Sequence, residues 1–127
     1  MDQELERRID TLYDLGVIDS EVRDATKEAV EQLGQFGFPV TEDALGMLAT
    51  HLAMCFERAE CNDIVPTIGT QIRDEISTNS HFEEAAHITK RVMDASNYVV
   101  PDAERWLVAA HVEALIERFG SRAGDTR

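Results

Sequence analysis

At 127 residues, with 43% hydrophobic and 29% charged side chains, the chain holds enough apolar material for one folded domain and too much for general disorder. Its 25 acidic residues against 12 basic ones give a formal charge of -13 and no basic stripe, which speaks against direct nucleic-acid binding. No run approaches the roughly 18 apolar residues that span a bilayer, the opening MDQELERRID has no apolar signal core, and Cys55 and Cys61, outside any CxxC or Cys/His pattern, are expected as free thiols in a reducing cytoplasm.

Apolar residues recur at three- and four-residue spacing almost throughout, without sustained alternation, so the predicted elements are helices. Asp2 caps a short first helix that runs to about Leu15, where Gly16 stops it before Val17 and Ile18. Asp19 or Ser20 caps the second, whose stripe of Val22, Ala25, Thr26, Ala29, Val30 and Leu33 is broken by Gly34 and Gly37. After Pro39, Thr41 is a good N-cap, Glu42 and Asp43 suit the positive end of the helix dipole, and the helix reaches about Ala59. Its apolar face carries Leu45, Leu48, Leu52, Cys55 and Phe56.

Pro66 and Thr67 open a shorter helix with Ile68, Ile72 and Ile76, closed by the polar cluster Ser77-Thr78-Asn79-Ser80. The next runs from Phe82 to Ala95. Asn97, Pro101 and Asp102 then mark a turn and cap, and the last helix covers residues 103–119. The pattern predicts an all-α fold, a compact bundle of five core helices plus a short N-terminal helix. Residues 1–17 form that helix and its turn, 18–119 the five-helix bundle, and 120–127 a flexible tail.

His51 and His111 stand out because each lies mid-helix in a similar setting, MLATHLAMCFER and WLVAAHVEALIER. At about 100° per residue, His51 falls at the edge of its apolar face, on the side of Ala44, Cys55 and Arg58, and is expected to be partly accessible. His111 falls nearer the middle of its face and is expected to be more buried, with Glu104 and Arg118 two turns away on either side. A neutral imidazole nitrogen is a good nucleophile for reversible phosphoryl transfer, and a guanidinium two turns along can answer the charge placed on the ring. From the residues alone, two structural boundary histidines remain the plainer reading.

Other constellations say less. His51 and Cys55 at i, i+4 are half a metal site without a third ligand at matching spacing, so thiol packing is expected there. His81 reads as part of a helix start and His87 as a boundary position. The pairs Glu57-Arg58, Glu83-Glu84 and Lys90-Arg91 read as solvated faces, and Tyr98 and Trp106 as core or interface aromatics. There is no Gly-rich phosphate loop, HExxH or GxSxG.

The two histidine segments resemble those of the PTS regulation domain, the helical module that receives phosphoryl groups on histidine in sugar-responsive regulators. Leu48, His51, Leu52 and Arg58 fit its first histidine helix, and Pro101, Asp102, Glu104, Trp106, Leu107 and His111 its second. The opening LERRIDTLYDLGVIDSEVRDATKEAVEQL looks like the start of stand-alone members, so the resemblance spans about residues 3–119. Thr50 stands where the family often has Asp before the first histidine.

The resemblance implies His51 and His111 as phosphoacceptors; Arg58, Arg118 and Glu104, set two turns from one or other of them by helix spacing, are expected to stabilise the phosphoryl group. It implies a cytoplasmic homodimer whose donors are the phosphocarrier protein and enzyme II components of the sugar phosphotransferase system. No enzyme activity, cofactor, metal, membrane or direct nucleic-acid contact is implied. A chain of this length has no room for the RNA- or DNA-binding domain of larger members, so a stand-alone regulator acting on a transcriptional regulator or other partner is expected. The alternative is a helical protein-protein interaction module with structural histidines.

Overall fold

A computed structural model describes residues 1–63 and 67–120. They form six helices and no strand: α1 Gln3–Asp14, α2 Ser20–Gln35, α3 Glu42–Cys61, α4 Thr70–Ser77, α5 Phe82–Asp94 and α6 Asp102–Phe119. The first three begin on caps legible in the sequence. Asp2 accepts from the Leu5 amide at 2.8 Å, Asp19 from the Val22 amide at 2.8 Å, and Thr41 from the Ala44 amide at 3.2 Å, each pairing one amide that a helix start would leave without a partner. Gly16 and Gly37 stop α1 and α2 at φ +77° and +98°, a region that costs an L side chain energy. α3 continues past Ala59 to Cys61 and ends where Asn62 turns left-handed at φ 57°.

Two starts differ from expectation. Pro66 lies outside the described residues, and Thr67 precedes α4, which begins at Thr70. Gly69 sits extended at the N-cap with ψ 155°, because a glycine loses more freedom in a helix than any residue the segment offers after it. Of the three isoleucines assigned to this helix only Ile76 is buried, while Ile72 is 48% exposed. At α6, Asp102 is the first helical residue rather than a cap, and its carboxylate accepts from the Trp106 indole at 3.2 Å.

The helices pack chiefly as two pairs, α2 on α3 and α5 on α6, and α3 meets α6 across the middle of the bundle. α1 lies over α2 and α3, with α4 against α5 and α6. Leu5, Ile9, Val22, Leu52, Phe56 and Ile88 are wholly buried in the core between them. α1 is tied down by polar contacts at its start and its middle. Asp2 donates its amide to the Val40 carbonyl at 3.0 Å, and its carboxylate accepts from the Glu42 amide at 3.1 Å. Arg8 grips the Glu42 carboxylate and donates to the Thr50 hydroxyl at 3.1 Å. Gly46 makes room for this, since a Cβ there would come within 2.5 Å of the Glu42 carboxylate.

Among the described residues, one buried carboxyl oxygen is unmatched. Glu113 of α6 is 6% exposed and its Oε2 has no hydrogen-bond partner. Burial, then the nearby Glu117, push its carboxyl above the ordinary value, with His81 opposing. A carboxyl whose folded pKa exceeds its unfolded one loses its stabilising contribution as pH rises through the folded value. Glu113→Gln is therefore expected to stabilise the domain at neutral pH by about 1 kcal/mol and to flatten its loss of stability with rising pH. Thermal melts of both proteins across the acid-to-neutral range check this, and identical pH profiles would refute it.

Candidate functional site

The α3–α6 contact brings together the two histidines that lie 60 positions apart in the chain. The rings of His51 and His111 meet edge to face, with centroids 5.1 Å apart and planes at 73°. Both are half-buried. His111 was expected to be the more enclosed, but its ring also borders a surface cavity between α3 and α6.

Behind His51 stands a second polar group. Glu104, in the first turn of α6, is 5% exposed, and its Oε1 lies 4.0 Å from His51 Nε2. Arg58 holds the same carboxylate with both arms of its guanidinium, Nη2 to Oε1 at 2.7 Å and Nε to Oε2 at 2.9 Å. Arg58 thus belongs to a buried ion pair rather than to a solvated face. It reaches α6 from α3 with 31% of its side chain exposed. Glu104 is next to the first histidine, not grouped with His111 on its own helix.

Burial lowers the pKa of His51, His111 and Arg58 push it in the same direction, and Glu104 partly offsets them. His111 is lowered by burial alone. Both rings are therefore mainly neutral near pH 7, the state in which a ring nitrogen has a lone pair to give. Cys55, buried beside them, has its thiol pushed up to about 12 by burial and by Glu104, with Arg58 opposing. The cysteines are unpaired, Cys55 inside and Cys61 exposed.

His111 faces a cavity of about 250 Å³ lined also by Arg8, Glu42, Met47, Leu48 and Arg118. Arg118 shares this space but spends its guanidinium on the Asp43 carboxylate and carbonyl, joining the last turn of α6 to the first turn of α3. At Thr50, where the resemblance leads one to expect a carboxylate, a hydroxyl receives Arg8 and the arginine's charge is met by Glu42. The remaining histidines lie elsewhere. His81 occupies the N-cap position of α5, its amide bonded to Asn79 at 2.8 Å, and His87 is exposed with its edge toward Phe36. Tyr98 stacks on Phe56 as a core aromatic, whereas Trp106 stacks on Phe82 with Arg73 over its ring, at a cleft between α4, α5 and α6.

The model of the PRD domain family matches residues 21–115. The chain belongs to this family. No curated protein and no solved structure matches it. The PRD match runs from α2 into α6 and contains both histidines, Arg58 and Glu104, while α1 and Arg118 fall outside it. PRD domains as a class are regulated through the sugar phosphotransferase system and interact with its components. No described helix of this member is long and apolar enough to cross a membrane.

Sequence reasoning placed His51, His111 and Arg58 correctly on their helices but missed Cys55 as a neighbour of Glu104. The only local sign was the i, i+4 spacing of His51 and Cys55, and the third member of that group comes from another helix.

Proposed function

We propose that this PRD domain is a cytoplasmic regulatory module, not an enzyme, that accepts a phosphoryl group on His51 or His111 and thereby changes its association with a transcriptional regulator or with a second copy of itself. The donors are the phosphocarrier protein and enzyme II components of the sugar phosphotransferase system. The observation that carries this reading is the pairing itself: two half-buried, neutral imidazoles from different helices, one of them beside a guanidinium that can be released.

In the transfer, the lone pair of the acceptor nitrogen attacks phosphorus and the donor's side chain, a ring nitrogen or a thiolate, leaves with the electron pair of the P–N or P–S bond that breaks. The product carries roughly 1.5 to 2 negative charges at neutral pH. On His51 that charge lies beside Glu104, which repels it, and within reach of Arg58, which attracts it. Arg58 turns to the phosphoryl group by giving up Glu104. The carboxylate, 6% exposed, is then a buried charge without a partner, so modification weakens the α3–α6 contact. A second phosphoryl group on a ring whose centroid is 5.1 Å from the first would meet strong repulsion, so one modification per domain is the expected limit.

Incubation with phosphoenolpyruvate, enzyme I and the phosphocarrier protein, followed by intact-mass and peptide analysis without acid, tests the reading. One acid-labile phosphate per chain is expected on His51 or His111, missing from the matching alanine variant. Failure of transfer from the phosphocarrier protein and from enzyme IIB donors alike would sink it. The rival, an interaction module with structural histidines, rests on apolar side chains left on the surface, Met47 at 77% and Val99 at 89% exposure. It requires the alanine variants to lose stability while keeping every association of the parent.

A further inference from the structure

The side chains around His51 form more than a phosphoryl acceptor. One ligand atom each from His51, Cys55 and Glu104 lie within 4.8 Å of one another, two from adjacent turns of α3 and one from α6. His111 stands beside His51 at 5.1 Å, ring centre to ring centre. We propose that His51, Cys55 and Glu104, with His111 closing the fourth position, bind one thiophilic divalent cation of the zinc type.

Imidazole, thiolate and carboxylate in one cluster are the donor set of zinc and its chemical relatives, whereas magnesium and calcium need a shell of oxygens. Bond lengths of about 2.3 Å to sulfur and 2.0–2.2 Å to nitrogen and oxygen put neighbouring tetrahedral ligands roughly 3.6 Å apart. The observed 4.8 Å limit therefore asks for a contraction of about 1 Å. Rotation of the His51 and Cys55 side chains can supply it without moving either helix. Cys55 and Glu104 are buried and His51 is partly open to solvent, so an ion reaches the cluster from the histidine side.

Charge balances on binding. In the metal-free domain Glu104 and Arg58 neutralise each other and the Cys55 thiol is neutral. When the cation binds, the S–H bond breaks, its proton goes to water, and sulfur and the carboxylate together offset the two positive charges. Arg58 then has no place beside the metal and turns outward, a move its exposed stem allows. The cation and Arg58 thus compete for Glu104. Removal of the guanidinium by Arg58→Gln is expected to tighten metal binding, a result that a purely structural cluster would not give.

The occupied site takes the lone pair of His51, so metal and phosphoryl group exclude one another; this consequence, though not the binding itself, rests on the phosphoacceptor reading. Titration of the intact chain with cobalt(II) as a probe, under reducing conditions, decides the binding. One cobalt per chain is expected, with the intense d–d bands of a tetrahedral centre and a near-ultraviolet thiolate-to-cobalt band. Zinc should bleach both.

Cys55→Ser should abolish the charge-transfer band, and His51→Gln should weaken binding by at least about tenfold. Cys61→Ser should change neither. Absence of the thiolate band in the parent chain would overturn the proposal, and so would its survival in Cys55→Ser with loss in Cys61→Ser, which would place the ion on the exposed Cys61–Glu57 pair. Cobalt uptake through Cys55 by a chain that never accepts phosphate would support the metal site and refute the phosphoacceptor reading. Phosphorylation without a thiolate band would do the reverse.

Discussion

Arg58→Ala is expected to destabilise the domain by about 3 kcal/mol at neutral pH, and Glu104→Gln by clearly less. The two changes break the same pair but leave different remnants. Without Arg58, the Glu104 carboxylate, 6% exposed in the intact domain, loses the guanidinium that holds both of its oxygens. An isolated buried ion costs several kcal/mol, and a cost of 3–5 kcal/mol is usual when one partner of a buried pair is removed. The figure sits at the bottom of that range because Arg58 is itself 31% exposed and water screens part of the interaction. Without the Glu104 charge, by contrast, the long Arg58 side chain can turn into solvent. Urea denaturation followed by circular dichroism gives both values. Equal losses, or a loss below about 1 kcal/mol for Arg58→Ala, would mean that the pair is not the electrostatic joint between α3 and α6.

Phe56→Ala is expected to cost more, about 3–5 kcal/mol, with a fall in Tm of roughly 10–20 °C. Phe56 is fully buried and stacks on Tyr98 at 5.5 Å with the rings 26° apart. Tyr98 in turn donates its hydroxyl to Glu60 at 3.4 Å, so the aromatic pair holds the segment before α6 against the last turns of α3. Truncation leaves a void that close-packed neighbours fill only partly. Phe56→Leu keeps most of the volume and should cost about 1.5 kcal/mol or less. Differential scanning calorimetry on the two variants separates lost volume from lost stacking, and near-identical melts for parent and Phe56→Ala would contradict the packing described.

What could be read in advance follows from where the information lies. Caps and left-handed stops are local, so Asp2, Asp19, Thr41 and the glycines after α1 and α2 declared themselves within four residues. The start of α4 did not, because Thr67 offers a cap and only the extended Gly69 decides against it. The His51–His111 pair was suggested by two similar segments, but its edge-to-face geometry depends on the depth at which α3 meets α6. Arg58 was assigned to a phosphoryl group on spacing alone. Its actual partner, Glu104, lies 46 positions away, and no periodicity within one helix can report such a pairing. The same holds for Arg118, which was paired with His111 along α6 and instead crosses to Asp43.

α1 carries a practical consequence. The family match opens at residue 21, yet Leu5 and Ile9 are wholly buried, Ile18 is 3% exposed, and Asp2 and Arg8 secure the start of α3. A fragment trimmed to the matched segment would lose those three side chains from the core and open an oily furrow along α2 and α3. In a two-hybrid screen or a pull-down, that furrow would gather partners of its own, and the binders recovered would report the scissors rather than the protein.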